Sequence, residues 1–121
     1  ANTFARARRL ALQALRNARM VDGGLARTAS RDADDEVRRL AVVAAGAPVT
    51  PEAPATMPAA DRDAVLTAGL KDAEPRVRYE AVRGWGRHLQ AADCQPVLRA
   101  VNDPSPHVAL AAIDLLGAGC G

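Results

Sequence analysis

The sequence is poor in aromatic residues, cysteine and lysine, and each shortage narrows the class of protein. Its 121 residues include one Trp, one Tyr and one Phe, so a core has to be built from smaller side chains. No apolar run approaches the ~20 residues that a membrane-spanning helix needs. Alanine is the commonest residue and the strongest helix former, which favours closely packed helices. We therefore expect one all-α domain over residues 1–121, with no membrane association.

Side chains for catalysis or metal binding are also scarce. The two cysteines, Cys94 and Cys120, match no metal-site or thiol-oxidoreductase spacing. A disulfide between them is compatible with their positions, but we expect free thiols in a reducing cytoplasm. The histidines, His88 and His107, have no neighbours at metal-ligand spacing, and no glycine-rich phosphate loop is present. We expect no enzymatic activity, no catalytic residues, no metal and no cofactor.

The net charge is small and unevenly distributed. The chain carries 16 basic and 14 acidic residues, a balance of +2, and Lys71 is the one lysine. Residues 1–46 hold nine arginines against five acids, whereas residues 47–121 hold seven basic residues against nine acids. Arginine in place of lysine, together with abundant alanine, is typical of a GC-rich coding bias. Arginine content is therefore weak support for phosphate binding here.

One short pattern, D-x4-V-x3-A-[VI]-x3-G, recurs three times, over residues 32–46, 72–86 and 103–117. A weaker copy begins at Asn2 and has Arg16 in place of the closing glycine. The apolar positions fall on one helical face, and the closing glycine is typical of a left-handed residue that ends a helix. Counting the weaker copy, the pattern predicts four helices, which we call the B helices, near residues 3–16, 34–46, 75–86 and 106–117.

A second apolar segment with helical spacing precedes each full copy of the pattern. These segments, the predicted A helices, cover residues 24–30, 61–71 and 94–102. Neither helix of a pair can bury its apolar stripe alone, so the pairs are expected to stack. Residues 47–59 interrupt the repeat with four prolines, which favours a surface loop, or alternatively a binding loop at the edge of the stack.

With this pattern, the chain resembles HEAT repeats in the short bacterial, phycobilisome-lyase-like form, most strongly over residues 61–117. The resemblance implies an α-solenoid of stacked antiparallel helix pairs, with about three repeats plus an unpaired N-terminal helix. It also implies a ladder in which turn aspartates and arginines six positions later link neighbouring repeats. Asn2 with Arg8 is a partial match to this ladder, and Ala109 leaves the copy at Asp103 without its arginine. The residues that match the ladder are Asp32, Arg38, Asp72 and Arg78.

The concave face of HEAT proteins is lined by B helices, so the resemblance implies a scaffold that binds a protein or peptide partner there. Arginine and tyrosine are favoured in such interfaces because they combine large contact area with directional polar groups. Trp85 also fits a core position, and both interpretations stay open at this point. The candidate binding residues are Arg9, Arg39, Val43, Arg76, Tyr79, Arg83 and Trp85.

Two alternatives remain. In a nucleic-acid-binding HEAT-like module, four of these arginines would follow phosphates and Tyr79 or Trp85 would stack on bases, although interspersed acids oppose this. The chain could instead be a terminal piece of a longer solenoid, because it starts on a B helix. We expect the apolar stripe of that helix to pair with further repeats or with a second copy of the chain. The stripe consists of Ala7, Leu10, Ala11, Ala14 and Leu15.

Overall fold

The computed structural model describes residues 4–120, which fold into seven helices and contain no β-strand. The prediction of an all-α protein is confirmed. The helices are α1 (Ala5–Asn17), α2 (Gly23–Ala29), α3 (Asp35–Gly46), α4 (Ala59–Leu70), α5 (Pro75–His88), α6 (Gln95–Ala100) and α7 (Pro106–Gly117).

The four helices that carry the repeated pattern, α1, α3, α5 and α7, pack against one another in chain order. The helices between them, α2, α4 and α6, each pack against the helix that follows. Two equivalent positions are buried in all three full copies, the valine and the alanine that the pattern places four residues apart. These residues are Val37, Ala41, Val77, Ala81, Val108 and Ala112.

The closing glycines were expected to end their helices in a left-handed conformation, and this expectation is wrong. Among residues 4–120, positive φ angles occur at Arg19 and Gly119 and at no closing glycine. Gly46 is instead helical and faces the backbone of α5, where a Cβ atom would lie 2.8 Å from the Cα atom of Gly84. The glycine is therefore needed for the close approach of α3 and α5, and not for a turn.

The proline-rich segment between α3 and α4 forms no helix and is mostly exposed. It contains a tight turn in which Thr50 and Ala53 exchange backbone hydrogen bonds of 3.0 and 3.1 Å. Its first residues are tied to the end of α5, because the Arg87 guanidinium donates to the carbonyl of Gly46 and the His88 ring donates to that of Ala47. The start of the segment is thus held against α5, and its middle is closed by its own turn.

The cysteines form a disulfide between Cys94 and Cys120, with Cα atoms 5.8 Å apart, so the expectation of free thiols is wrong. The chain turns back after α7 at Gly119, whose φ is 106°, and reaches the residue that precedes α6. Gln90 holds the same segment, since its buried amide donates to the carbonyls of Leu115 and Gly119 at 2.9 and 2.7 Å. The helical periodicity carries no information about the disulfide, because Cys120 lies beyond the last copy of the pattern.

None of the helices in residues 4–120 combines the length and apolar character needed to cross a lipid bilayer.

Candidate functional site

The turn aspartate of each full repeat accepts two hydrogen bonds from an arginine on the preceding long helix. The six donor–acceptor distances lie between 2.8 and 3.2 Å, in the forked geometry that suits a guanidinium and a carboxylate. The links therefore run from each long helix to the next repeat. The pairs are Arg8–Asp32, Arg38–Asp72 and Arg78–Asp103.

Two of these arginines also bind the turn of their own repeat. Arg38 donates from Nη1 to the carbonyl of Asp32 at 3.0 Å, and Arg78 donates to that of Asp72 at 2.9 Å. All four predicted ladder residues lie in this network. The copy that contains Asp103 has Ala109 in place of the arginine. Asp103 is nevertheless paired, because Arg78 of the preceding copy donates to it.

The ladder changes the acidity of Asp32 and of Asp103. Hydrogen bonds from Arg8 hold the pKa of Asp32 below its ordinary value, and those from Arg78 do the same for Asp103. Partial burial acts in the opposite direction in both cases but does not prevail. Asp32 and Asp103 are therefore charged at neutral pH, and each forms a link between neighbouring repeats.

The predicted binding residues Arg9 and Arg39 are already engaged by acidic side chains. Arg9 donates to both carboxylate oxygens of Asp34, at 2.8 and 2.9 Å. Arg39 donates to Glu36 at 2.6 and 2.8 Å and to Glu80 at 3.2 Å, so it links α3 to α5. Hydrogen bonding to Arg39 also holds the pKa of Glu36 below its ordinary value. This part of the face is consequently a network of compensated charges.

Three other predicted residues lie together on α5 and are more available. The Arg76 side chain is 70% exposed, and its nearest acid is Glu36 at 3.7 Å. The guanidinium carbon of Arg83 lies 5.6 Å from the ring centroid of Tyr79, within the range of a cation–π interaction. These side chains present two cations and one aromatic ring on a single helix.

Trp85, by contrast, belongs to the core. Its side chain is buried, and its indole N–H donates to the carbonyl of Asp93 at 2.7 Å. A tryptophan with its one donor satisfied inside the protein has no free polar edge for a partner. The core interpretation of Trp85 is therefore the correct one, and the binding interpretation is wrong. Val43, another candidate, lies half-buried on α3.

A cavity of about 260 Å³ opens between the N-terminal ends of α5 and α7, and we call it the α5–α7 cleft. It brings together three predicted residues, Arg39, Arg76 and Tyr79, with four that the sequence analysis did not select. Pro75 and His107 lie in the first turns of α5 and α7, Ser105 directly precedes α7, and Glu80 lies further along α5.

Within residues 4–120, no group of three or more histidine, cysteine or acidic side chains is arranged to hold a metal ion. Comparisons of the chain with protein-family models, with curated proteins and with solved structures gave no match in any of the three.

Proposed function

We propose that the protein is a non-enzymatic, HEAT-like α-solenoid that binds a protein or peptide partner on the face formed by α1, α3, α5 and α7. Support for the repeat architecture comes from the three helix pairs, which bury equivalent positions and repeat one arginine–aspartate link. Each pair contacts the next through its longer helix, as stacking requires.

The observation that carries the binding proposal is the α5–α7 cleft. Its volume of about 260 Å³ lies below the usual range of small-molecule sites, about 300 to 1,000 Å³, and suits one anchoring side chain of a partner. Pro75 and Tyr79 supply apolar wall, while Arg76 offers a largely exposed cation at the rim. An apolar anchor beside an acidic residue is the peptide chemistry that this combination favours.

The charge network weighs against nucleic acid as the partner. Of the four arginines that could follow phosphates, Arg9 and Arg39 are occupied by carboxylates from α3 and α5. Phosphate binding would have to displace those acids or approach them against repulsion. Trp85, one of the two residues considered for stacking on bases, is buried. We therefore favour a protein or peptide partner.

A selection of random peptides on the immobilised protein tests this function. Peptides should be recovered that lose binding when Tyr79→Ala or Arg76→Glu is introduced, and that keep it in Arg99→Glu, a matched change of an exposed arginine on α6. Peptides that bind all variants equally would refute binding at the cleft.

A titration with duplex DNA tests the nucleic-acid alternative. If the protein binds nucleic acid, its affinity for DNA should be measurable at low salt and should fall steeply as salt is added.

The exposed apolar side of α1 supports a second proposal, self-association through this helix or its continuation into further repeats. Phe4, directly before α1, and Leu10 within it are 71% and 62% exposed. Three exposed alanines, Ala7, Ala11 and Ala14, also lie on α1. Sedimentation over a range of concentrations should show a dimer that Leu10→Glu abolishes. A monomer at every concentration would exclude pairing of two copies.

The disulfide affects the proposed cellular location. A cytoplasmic protein was expected on the basis of free thiols, but disulfides are rare in the cytosol and persist in oxidising compartments. The Cys94–Cys120 bond therefore favours an oxidising location over the cytoplasm. Alkylating free thiols during lysis of the source cell decides between the two locations, because only reduced cysteines react with the reagent.

A further inference from the structure

A second and larger cavity lies under the proline-rich segment, between that segment and the C-terminal ends of α1 and α3. Its volume is about 470 Å³, and it shares no lining residue with the α5–α7 cleft. Three arginines line it, Arg16, Arg19 and Arg62, and no aspartate or glutamate does. Arg62 is paired with Asp63, whereas Arg16 and Arg19 form no ion pair within residues 4–120, and two like charges at one concave site create a positive potential that attracts anions.

The hydrogen bonding of two of these arginines is incomplete or weak. Arg16 forms no ion pair within residues 4–120, and its buried Nε has no hydrogen-bond partner there, which is uncommon because an unsatisfied buried donor destabilises the fold. Because that Nε is closed to solvent, an anion in the cavity would contact the terminal nitrogens of the guanidinium. Arg19 donates to the carbonyl of Glu52 at 3.3 Å, a long contact to a neutral acceptor. These donors differ from the ladder arginines, whose guanidinium groups are matched to carboxylates.

The backbone of Arg19 provides independent support. Its φ of 58° is left-handed, and no other residue except glycine has a positive φ within residues 4–120. Two hydrogen bonds form the turn that ends α1: the N–H of Arg19 donates to the carbonyl of Arg16, and the N–H of Met20 donates to that of Leu15. Glycine is preferred at the position that Arg19 occupies in such a turn. An arginine retained in a conformation that suits glycine indicates a task for its side chain.

The remaining walls suit an organic molecule better than a bare inorganic ion. Apolar side chains of Val21, Ala44 and Met57 line the cavity, and Thr50 and Thr56 add hydroxyl groups. The volume lies inside the usual range for small-molecule sites, about 300 to 1,000 Å³. The cavity therefore combines cationic donors with an apolar surface.

We propose that this cavity binds a small organic anion, with its carboxylate or phosphate group at Arg16 and Arg19 and its apolar part against Ala44 and Met57. Guanidinium groups bind both kinds of oxyanion through charge-assisted hydrogen bonds. Arg62 adds to the positive potential, although its Nε already donates to Asp63 at 2.8 Å.

Calorimetric titration with phenyl phosphate, benzoate and uncharged benzyl alcohol tests the proposal. At least one anion should bind saturably and benzyl alcohol should not, and the preferred anion identifies the head group. Arg19→Gly should weaken this binding about ten-fold, the loss expected for one charge-assisted interaction. The fold should tolerate this change because glycine readily adopts the φ of Arg19. Arg31→Gln, which changes an exposed arginine outside the cavity, should bind as the wild type does.

Four results would overturn the proposal, and three of them concern the ligands and Arg19. These three are the absence of binding by both anions, equal binding of benzyl alcohol, and unchanged anion affinity in Arg19→Gly whose melting temperature shows that it is folded. Equal weakening by Arg31→Gln would also reject a specific site, since it would show that general charge attraction accounts for binding.

Discussion

Arg78 donates two hydrogen bonds to the carboxylate of Asp103, at 2.8 and 3.0 Å, across 25 residues of chain. The same guanidinium donates to the carbonyls of Asp72 and Ala73, at 2.9 and 3.0 Å. The side chains of Arg78 and Asp103 are only 16% and 10% exposed. One guanidinium thus satisfies acceptors in two successive turns, and it fixes the distance between them.

Replacing Arg78 by alanine should destabilise the protein strongly. The change leaves a mostly buried carboxylate without its counter-ion and two carbonyls without a donor, and removing one partner of such a pair typically costs about 3 to 5 kcal/mol. Urea unfolding followed by circular dichroism measures the free energy of unfolding. Arg76→Ala is the matched control, because this neighbouring arginine is 70% exposed and its loss should change stability by less than ~1 kcal/mol. An unchanged melting temperature in Arg78→Ala would count against a structural role for the ladder.

The ladder also predicts how stability depends on pH. Arginine hydrogen bonds hold the pKa of Asp32 and that of Asp103 below the ordinary 3.8, whereas an unfolded chain has no such bonds. Because the folded pKa is the lower one, the stabilisation is fully present above the unfolded pKa of about 4 and is lost as pH falls toward the folded pKa. The free energy of unfolding should therefore decline below about pH 4.

Asp103→Asn provides the control for this acid dependence. It removes one titrating carboxyl group, so the variant should be less stable at neutral pH and should lose less stability on acidification than the wild type. Equal acid dependence in the two proteins would show that Asp103 contributes nothing to it.

The sequence predicted the helices well because the information for them is local. The valine and alanine of each copy recur at helical spacing, and Val77 with Ala81 is buried as Val37 with Ala41 is. The environment of a single side chain was harder to predict from local spacing. Trp85 fits either a core or a surface position in the pattern, and the structure shows it buried, with its N–H donating to the carbonyl of Asp93.

The α5–α7 cleft was predicted in part, through Arg39, Arg76 and Tyr79, whereas the larger cavity was not predicted, since the proline-rich segment that covers it lies outside the repeat. The α5–α7 cleft joins the first turns of two helices, and the larger cavity places Arg16 beneath the proline-rich segment. One signal was nevertheless present in the sequence: Arg16 stands where the other copies have glycine, which marks this end of α1 as different.

Glycines at equivalent positions should respond in opposite ways to alanine. In a helix, alanine is normally more stable than glycine by about 1 kcal/mol. Gly117 should follow that rule, because a Cβ atom there meets nothing within 4 Å. In Gly46→Ala the Cβ atom would lie 2.8 Å from the Cα of Gly84, so α3 and α5 must separate and the variant should be destabilised. Thermal unfolding of both variants checks this, and stabilisation by Gly46→Ala would contradict the close packing of these helices.

The disulfide should be a substantial part of the stability of the C-terminal end. Cys94 and Cys120 are 26 residues apart, and cross-linking a loop of that length lowers the entropy of the unfolded chain enough to stabilise the fold by about 3 kcal/mol. The double variant Cys94→Ser with Cys120→Ser should therefore melt at a lower temperature than the wild type, and hydrogen exchange should accelerate most in α7. A reductant should lower the melting temperature of the wild type and leave that of the double variant unchanged. Two titratable thiols in the protein purified under non-reducing conditions, with no effect of reductant on melting, would show that the bond does not form.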